Sequence, residues 1–135
     1  MGANLPAVDL GTGRIALSVS SGNDHTCALL DGATVKCWGS NNNGQLGYGD
    51  KLDRGDDNTN EMGARLPAVD LGAGRTALSI TATYRHTCAL LDDATVKCWG
   101  SNDYGQLGTL ILKFLWGEKG PPRVFAPDDA PKFFL

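Results

Sequence analysis

The chain has 135 residues, 41% hydrophobic and 20% charged, with a formal net charge of −3. That size suits one domain with an ordinary core, and the balance excludes a disordered acidic tail and a basic nucleic-acid clamp. The 18 glycines, about twice average usage, lack the every-third-residue spacing of a collagen helix and so mark turns.

No run approaches the roughly 18 apolar residues that span a bilayer, and no basic start followed by an apolar stretch marks a signal peptide. No membrane partner is expected. Gly2 is a poor myristoylation site because Pro6 stands where Ser or Thr is required.

In chain order, Leu5 to Leu10 reads as a first strand, placed at an edge by Pro6, since proline cannot donate to a ladder. Gly11-Thr12-Gly13 punctuates, and Ala16 to Ser20 reads as the second strand. His25 to Leu30 and Thr34 to Trp38 follow, joined by Asp31-Gly32-Ala33, a three-residue connection of the kind that closes hairpins. With Leu30 opposite Thr34, counting back pairs Leu29 with Val35, Ala28 with Lys36 and Cys27 with Cys37. In a non-hydrogen-bonded pair the alpha carbons lie about 4.5 Å apart, within reach of a disulfide.

Beyond Trp38, Gly44-Gln45-Leu46-Gly47-Tyr48-Gly49 ends in no Gly-Lys-Ser/Thr and precedes no helix, so it is a turn rather than a phosphate cradle. Residues 48–61 form a polar, acidic connection that fails the EF-hand pattern and is a surface loop. It contains Arg54-Gly55-Asp56, a triplet too short to carry an integrin-binding reading.

The chain then repeats. Met1 to Gly47 aligns without a gap on Met62 to Gly108, with about three quarters of the positions identical and a period of about 61 residues. The expected organisation is a first repeat at 1–47, the acidic loop at 48–61, a second repeat at 62–108 and a divergent tail at 109–135. Four short strands per repeat make a propeller blade, so the expected fold is all-β: two four-stranded blades of a β-propeller.

The tail is apolar and then proline-rich, holds all four Phe and no Cys, and is expected to have a different origin, such as a frameshift or retained intron. Met1 aligns with the internal Met62, so a start within a longer array is expected. Two blades cannot close a ring, and uncapped repeats expose apolar faces; a fragment or a self-associating chain is expected.

Cys88 and Cys98 repeat the ten-residue spacing of Cys27 and Cys37. The even count favours one disulfide per repeat and an oxidising compartment, extracellular or periplasmic, with buried free thiols in the cytoplasm or nucleus as the alternative. His25-x-Cys27 with Cys37, and His86-x-Cys88 with Cys98, offer three ligands each and no C-x-x-C pair, so neither a metal nor another cofactor is expected. Ser18, Ser40, Ser79 and Ser101 sit in no G-x-S-x-G elbow, and no catalytic residue is expected.

His25-Thr26-Cys27-Ala28-Leu29, Val35-Lys36-Cys37-Trp38-Gly39, Asn41 and Gly44-Gln45-Leu46-Gly47 recur as His86 to Leu90, Val96 to Gly100, Asn102 and Gly105 to Gly108. Together they resemble the repeat of the regulator of chromosome condensation family, also called the propeller-type beta-lactamase inhibitor superfamily. The resemblance implies a seven-bladed ring with one repeat per blade, of which this chain holds two. Family members include a nucleotide exchange factor for a small nuclear GTPase and secreted inhibitors of beta-lactamase. What this implies is a protein-interaction module. A secreted inhibitor or binder, or a non-functional gene fragment, is the alternative, and the acidic balance gives no support for nucleic acid. The second copy departs from the pattern where Thr83 replaces Gly22 and Asp93 replaces the hairpin glycine Gly32, which predicts a slightly strained repeat.

Residues shared by both copies are expected to serve packing. Trp38 and Trp99 fill the space between blades, His25 and His86 hydrogen-bond within their own blades, and Gly44, Gly47, Gly105 and Gly108 permit the turn that follows. Partner contacts are expected where the copies differ. Asn23-Asp24 becomes Tyr84-Arg85, and Asn42-Asn43 becomes Asp103-Tyr104. Tyrosine and arginine are enriched at interface hot spots, so Tyr84, Arg85 and Tyr104, with Asp103, Asn23 and Asp24, are the candidate contacts.

Overall fold

The computed structural model describes residues 2–56 and 61–108. The expectations for the tail at 109–135 and for Asp57, Asn58 and Asn60 of the acidic loop lie outside the described residues.

Six strands form in the order β1 (Ala16–Ser21), β2 (His25–Leu30), β3 (Val35–Gly39), β4 (Ala77–Ala82), β5 (His86–Leu91) and β6 (Val96–Gly100). They make two three-stranded antiparallel sheets, ordered β1-β2-β3 and β4-β5-β6. The β2–β3 register pairs Leu29 with Val35, Ala28 with Lys36 and Cys27 with Cys37, and β5–β6 repeats it one period later. The tight hairpin fixes this register, since a slip of one residue would turn every apolar side chain to the other face. Each outer pair carries a bulge, between Ala16 and Ser18 and between Ala77 and Ser79.

The expected first strand is not formed in either repeat, so each sheet has three strands rather than four. Leu5 to Leu10 and residues 66–71 run as irregular chain. Pro6 and Pro67 remove donors there, and the second segment does not lie on its own sheet. It crosses to the first, where the Val69 N–H donates to the Val35 carbonyl at 2.8 Å. The ammonium of Lys36 ties the two leading segments together by donating to the carbonyls of Leu10 (2.9 Å) and Gly63 (2.8 Å).

The hairpin turns also differ from expectation. Gly32 has φ 75° and Ala33 φ 60°, whereas in the second repeat the left-handed residue is Ala94, with φ 68°, and not Asp93. The Asp93 carboxylate instead accepts from the Thr95 N–H and hydroxyl. Replacing Gly32 by aspartate therefore exchanges backbone freedom for a side-chain cap.

The core lies between the two sheets. Cys27, Leu29, Val35 and Cys37 of the first sheet face Ala77, Ile80, Ala89, Leu91 and Trp99 of the second, with Leu46, Val69 and Leu71 between. Cys27–Cys37 and Cys88–Cys98 are disulfides, each with alpha carbons 4.1 Å apart. The first is buried in this core and the second is half-buried.

Candidate functional site

Residues identical in both copies build the joint between repeats, and the polar network at its centre converges on one carbonyl. The Gln45 carbonyl accepts the Trp99 indole N–H and the Thr87 hydroxyl, both at 2.9 Å. The His25 Nε2 lies 2.8 Å from that same hydroxyl. His25 thus reaches across to the second repeat instead of bonding within its own, while His86 stays local, against the Thr83 hydroxyl at 2.9 Å. Burial and the nearby His86 lower the His25 pKa against a smaller upward pull from Asp24, and burial lowers that of His86.

The tryptophans, identical in sequence, differ in setting. Trp99 is fully buried, against the loop that follows the first sheet, and a Cβ on Gly47 would come within 2.7 Å of its Nε1. Trp38 is half-buried.

The turn after each sheet folds by side-chain capping. Asn41 Oδ1 accepts from the Leu46 N–H at 3.0 Å, and Asn102 does the same for Leu107. Gln45 and Gln106 accept from the N–H groups of Asn43 and Tyr104. Gly44, Gly47, Gly105 and Gly108 take φ between 74° and 82°, the left-handed region that glycine enters without a steric penalty. Sequence reasoning missed the roles of Lys36, Asn41, Gln45 and Thr87. Their signal was identity between copies at polar positions beside apolar strands.

The copy-specific residues gather at one end of the sheets, opposite the hairpins. Each β1–β2-type loop is tied to the turn leaving its own sheet: Ser40 N–H donates to the Asp24 carbonyl (2.8 Å) and Ser101 N–H to that of Arg85 (2.9 Å). The two repeats are joined there as well, since the Asn23 N–H donates to the Tyr84 carbonyl at 3.1 Å. The Arg85 guanidinium stacks over the Tyr84 ring at 4.8 Å, a cation–π pair that stiffens both side chains. Asn23, Asp24, Tyr84, Arg85, Asp103 and Tyr104 are exposed, and Tyr104 is 94% exposed. Asp103 accepts from the Ser101 hydroxyl at 3.2 Å.

The Arg54-Gly55-Asp56 triplet is not free for recognition. Arg54 forms an ion pair with Asp50 at 2.7 Å, lies over the Tyr48 ring, and bridges Gly39 through its backbone. Burial would raise the Asp50 carboxyl, but hydrogen bonds from Arg54, Leu52 and Asn41 hold it below its ordinary value. The Tyr48 hydroxyl donates to the Cys37 carbonyl, and burial pushes its pKa up to about 12. Among the described residues, no group of three or more His, Cys, Asp or Glu side chains is arranged to hold a metal ion.

The sequence pattern of the Regulator of chromosome condensation (RCC1) repeat matches residues 17–45 and 78–106, and a second pattern of the same description spans residues 34–90. The chain belongs to the regulator of chromosome condensation repeat family. It is 38% identical over 96 residues to the ultraviolet-B receptor UVR8 of Arabidopsis thaliana, covering 70% of this chain and 20% of the receptor. To the X-linked retinitis pigmentosa GTPase regulator homolog of Caenorhabditis elegans it is 32% identical over 120 residues, 82% of this chain and 8% of that protein. Of these curated relatives it spans a fifth of the length or less.

Two solved structures share the fold at 22% identity. Prp20p of Saccharomyces cerevisiae matches with a TM-score of 0.59 over 84% of this chain and 25% of that one. Human WBSCR16 matches at 0.58 over 82% and 25%. The two sheets are accordingly consecutive parts of a β-propeller, with the fourth position of the first sheet touched by the leading segment of the next repeat.

Proposed function

We propose that this chain is a protein-interaction module of the RCC1-repeat type, binding a protein partner through the loop end that carries Asn23, Asp24, Tyr84, Arg85, Asp103 and Tyr104. The observation that supports it best is the tie between the Asn23 N–H and the Tyr84 carbonyl, with the bonds from Ser40 to Asp24 and Ser101 to Arg85. They turn four loops into one continuous exposed surface. Its composition suits a protein: two tyrosines and an arginine as anchors, with acidic and amide groups around them.

The relatives point the same way. One structure of Prp20p is described with its binding properties to Gsp1p and histones, and another shows Kap60 bound to it. The identity of this chain's partner is not carried over from them, because copy-specific residues set it. The module binds and does not catalyse. The paired cysteines support an oxidising, extracellular or periplasmic setting.

A swap between copies tests the reading with little risk to folding. Tyr84→Asn, Arg85→Asp and Tyr104→Asn write into the second repeat the residues that the first already accommodates. Proteins captured from native extract by the wild-type chain and by this triple variant are compared by quantitative mass spectrometry. A protein retained by the wild type and depleted at least about tenfold by the variant is expected, the loss of about 1.4 kcal/mol or more that hot-spot residues carry. Identical capture by both would overturn the assignment.

A second reading, self-association, is favoured by a separate observation: Leu5, Val8, Ile15, Leu17 and Val19 of the first repeat are exposed apolar side chains.

A further inference from the structure

Beneath the loop end, the joint between the two repeats holds one polar atom whose bonding capacity is unmet. The Thr87 hydroxyl has a single proton, which it donates to the Gln45 carbonyl at 2.9 Å. Toward His25 Nε2, 2.8 Å away, that hydroxyl can therefore only accept, so Nε2 carries the ring proton. The lone pair of the neutral ring is then on Nδ1. His25 is 3% exposed, and among the described residues no group bonds to its Nδ1.

The surroundings disfavour a second ring proton. It would make Nδ1 a charged donor with no described group placed to accept from it, and an unpaired charged donor is costly to bury. Of the titratable neighbours, His86 on β5 repels the added charge, and Asp24 on the ring's own loop attracts it more weakly. Arg85 is exposed and turned over the Tyr84 ring, while Thr87, Gln45 and Trp99 are neutral. Backbone closes over the ring at the loop end. Gly22 packs there so tightly that a Cβ on it would collide with both the Thr83 carbonyl and the His25 ring. Gly22 and Thr83 directly precede Asn23 and Tyr84, whose backbone bond at 3.1 Å joins the two loops. Bringing water to a charged ring from this side means parting those loops.

We propose that His25 is a proton-operated latch on the loop surface: with the ring neutral the loops at 22–24 and 83–85 are held together, and with a proton on Nδ1 they separate. Asn23, Asp24, Tyr84 and Arg85 lie on these loops, so the latch regulates the candidate binding surface. That consequence rests on the binding reading, whereas the latch is a property of the chain alone. All its parts lie inside the joint between the two described repeats. The lowered pKa of His25 agrees in sign. A ring that takes a proton more readily when the loops are open favours opening as pH falls, by up to about tenfold per pH unit below about pH 6.5, until the lowered value is reached.

The test follows amide exchange of the free chain by NMR from about pH 7.5 to about pH 5, as protection relative to the unfolded rate at each pH. Protection of the Asn23 N–H is expected to fall by up to about tenfold per unit below about pH 6.5. The Leu30 and Leu91 N–H groups, bonded to the Thr34 and Thr95 carbonyls in the hairpins, are expected to keep theirs. In His25→Gln, which retains an amide donor and takes up no proton, Asn23 protection is expected to stay level over the same range. If that variant does not fold, long-range proton–nitrogen spectra of the wild-type imidazole decide, with the Nε2–H tautomer expected at neutral pH. The opposite tautomer overturns the latch. So does Asn23 protection that ignores pH, that falls equally in the variant, or that falls only together with Leu30 and Leu91. Failure of the binding reading shows separately, as identical capture by the wild type and the triple variant, and leaves these exchange results unchanged.

Discussion

Trp38 and Trp99 occupy the same position in two nearly identical repeats, yet truncating them is predicted to cost very different amounts. Trp99 is fully buried, its indole N–H is bonded to the Gln45 carbonyl at 2.9 Å, and Gly47 packs against its ring. Trp99→Ala removes that packing and leaves a void, a loss of about 3–5 kcal/mol. The Gln45 carbonyl keeps the Thr87 hydroxyl, so no orphaned acceptor adds to the cost. Trp38 is half-buried, and Trp38→Ala forfeits only part of a side chain's transfer free energy, about 1–2 kcal/mol. The gap of roughly 2–3 kcal/mol separates the thermal midpoints by about 10 °C for a domain this small. Urea unfolding followed by circular dichroism measures it. If Trp99→Ala unfolds the chain outright, Trp99→Phe keeps most of the area and loses the hydrogen bond, costing about 1 kcal/mol. Equal losses at the two positions, or a larger loss at Trp38, would refute the claim that the second repeat packs onto the first through Trp99.

Titration of denatured, unreduced protein is expected to find no reactive thiol, because Cys27–Cys37 and Cys88–Cys98 are both closed; four thiols would contradict the fold. Under mild reductant the half-buried Cys88–Cys98 bond is expected to open before the buried Cys27–Cys37, each loss costing about 2–3 kcal/mol, as read by alkylation and peptide mapping. Gly22→Thr, which copies the residue of the second repeat, is expected to destabilise by about 1–3 kcal/mol. A Cβ there would collide with the Thr83 carbonyl and the His25 ring, and a neutral result in thermal unfolding would refute the close approach of these loops. Because His25 and His86 have lowered pKa values in the folded chain, the unfolded chain binds more protons below about pH 6.5. The stabilisation from neutral histidine is therefore complete above that pH and declines as pH falls through the lowered values. His25→Gln is expected to flatten the slope of stability against pH, and an unchanged slope would assign the dependence elsewhere.

What the sequence made legible follows the range of each interaction. The hairpin between β2 and β3 is local: three turn residues set its register, the register puts Cys27 opposite Cys37, and both disulfides follow. The missing outer strand was not legible, because alternation in Leu5 to Leu10 says nothing of which sheet that segment meets. Residues 66–71 reach the preceding repeat through Val69. His25 departs from the expected bond within its own repeat for the same reason, since its partner Thr87 lies 62 residues away. The asymmetric burial of identical residues has no sequence signal at all, because it depends on which neighbour is present. At the candidate site, the contrast of Asn23-Asp24 with Tyr84-Arg85 was visible. The backbone bond from Asn23 to Tyr84 that makes one surface of them was not.

Hydrogen exchange of the chain with and without its captured protein partner tests most directly whether binding uses the end where the copies differ. Slower exchange confined to residues 22–24, 40–47, 83–85 and 101–108 is the predicted result. Protection at the hairpin end, around residues 31–34 and 92–95, with none in those loops, would contradict it.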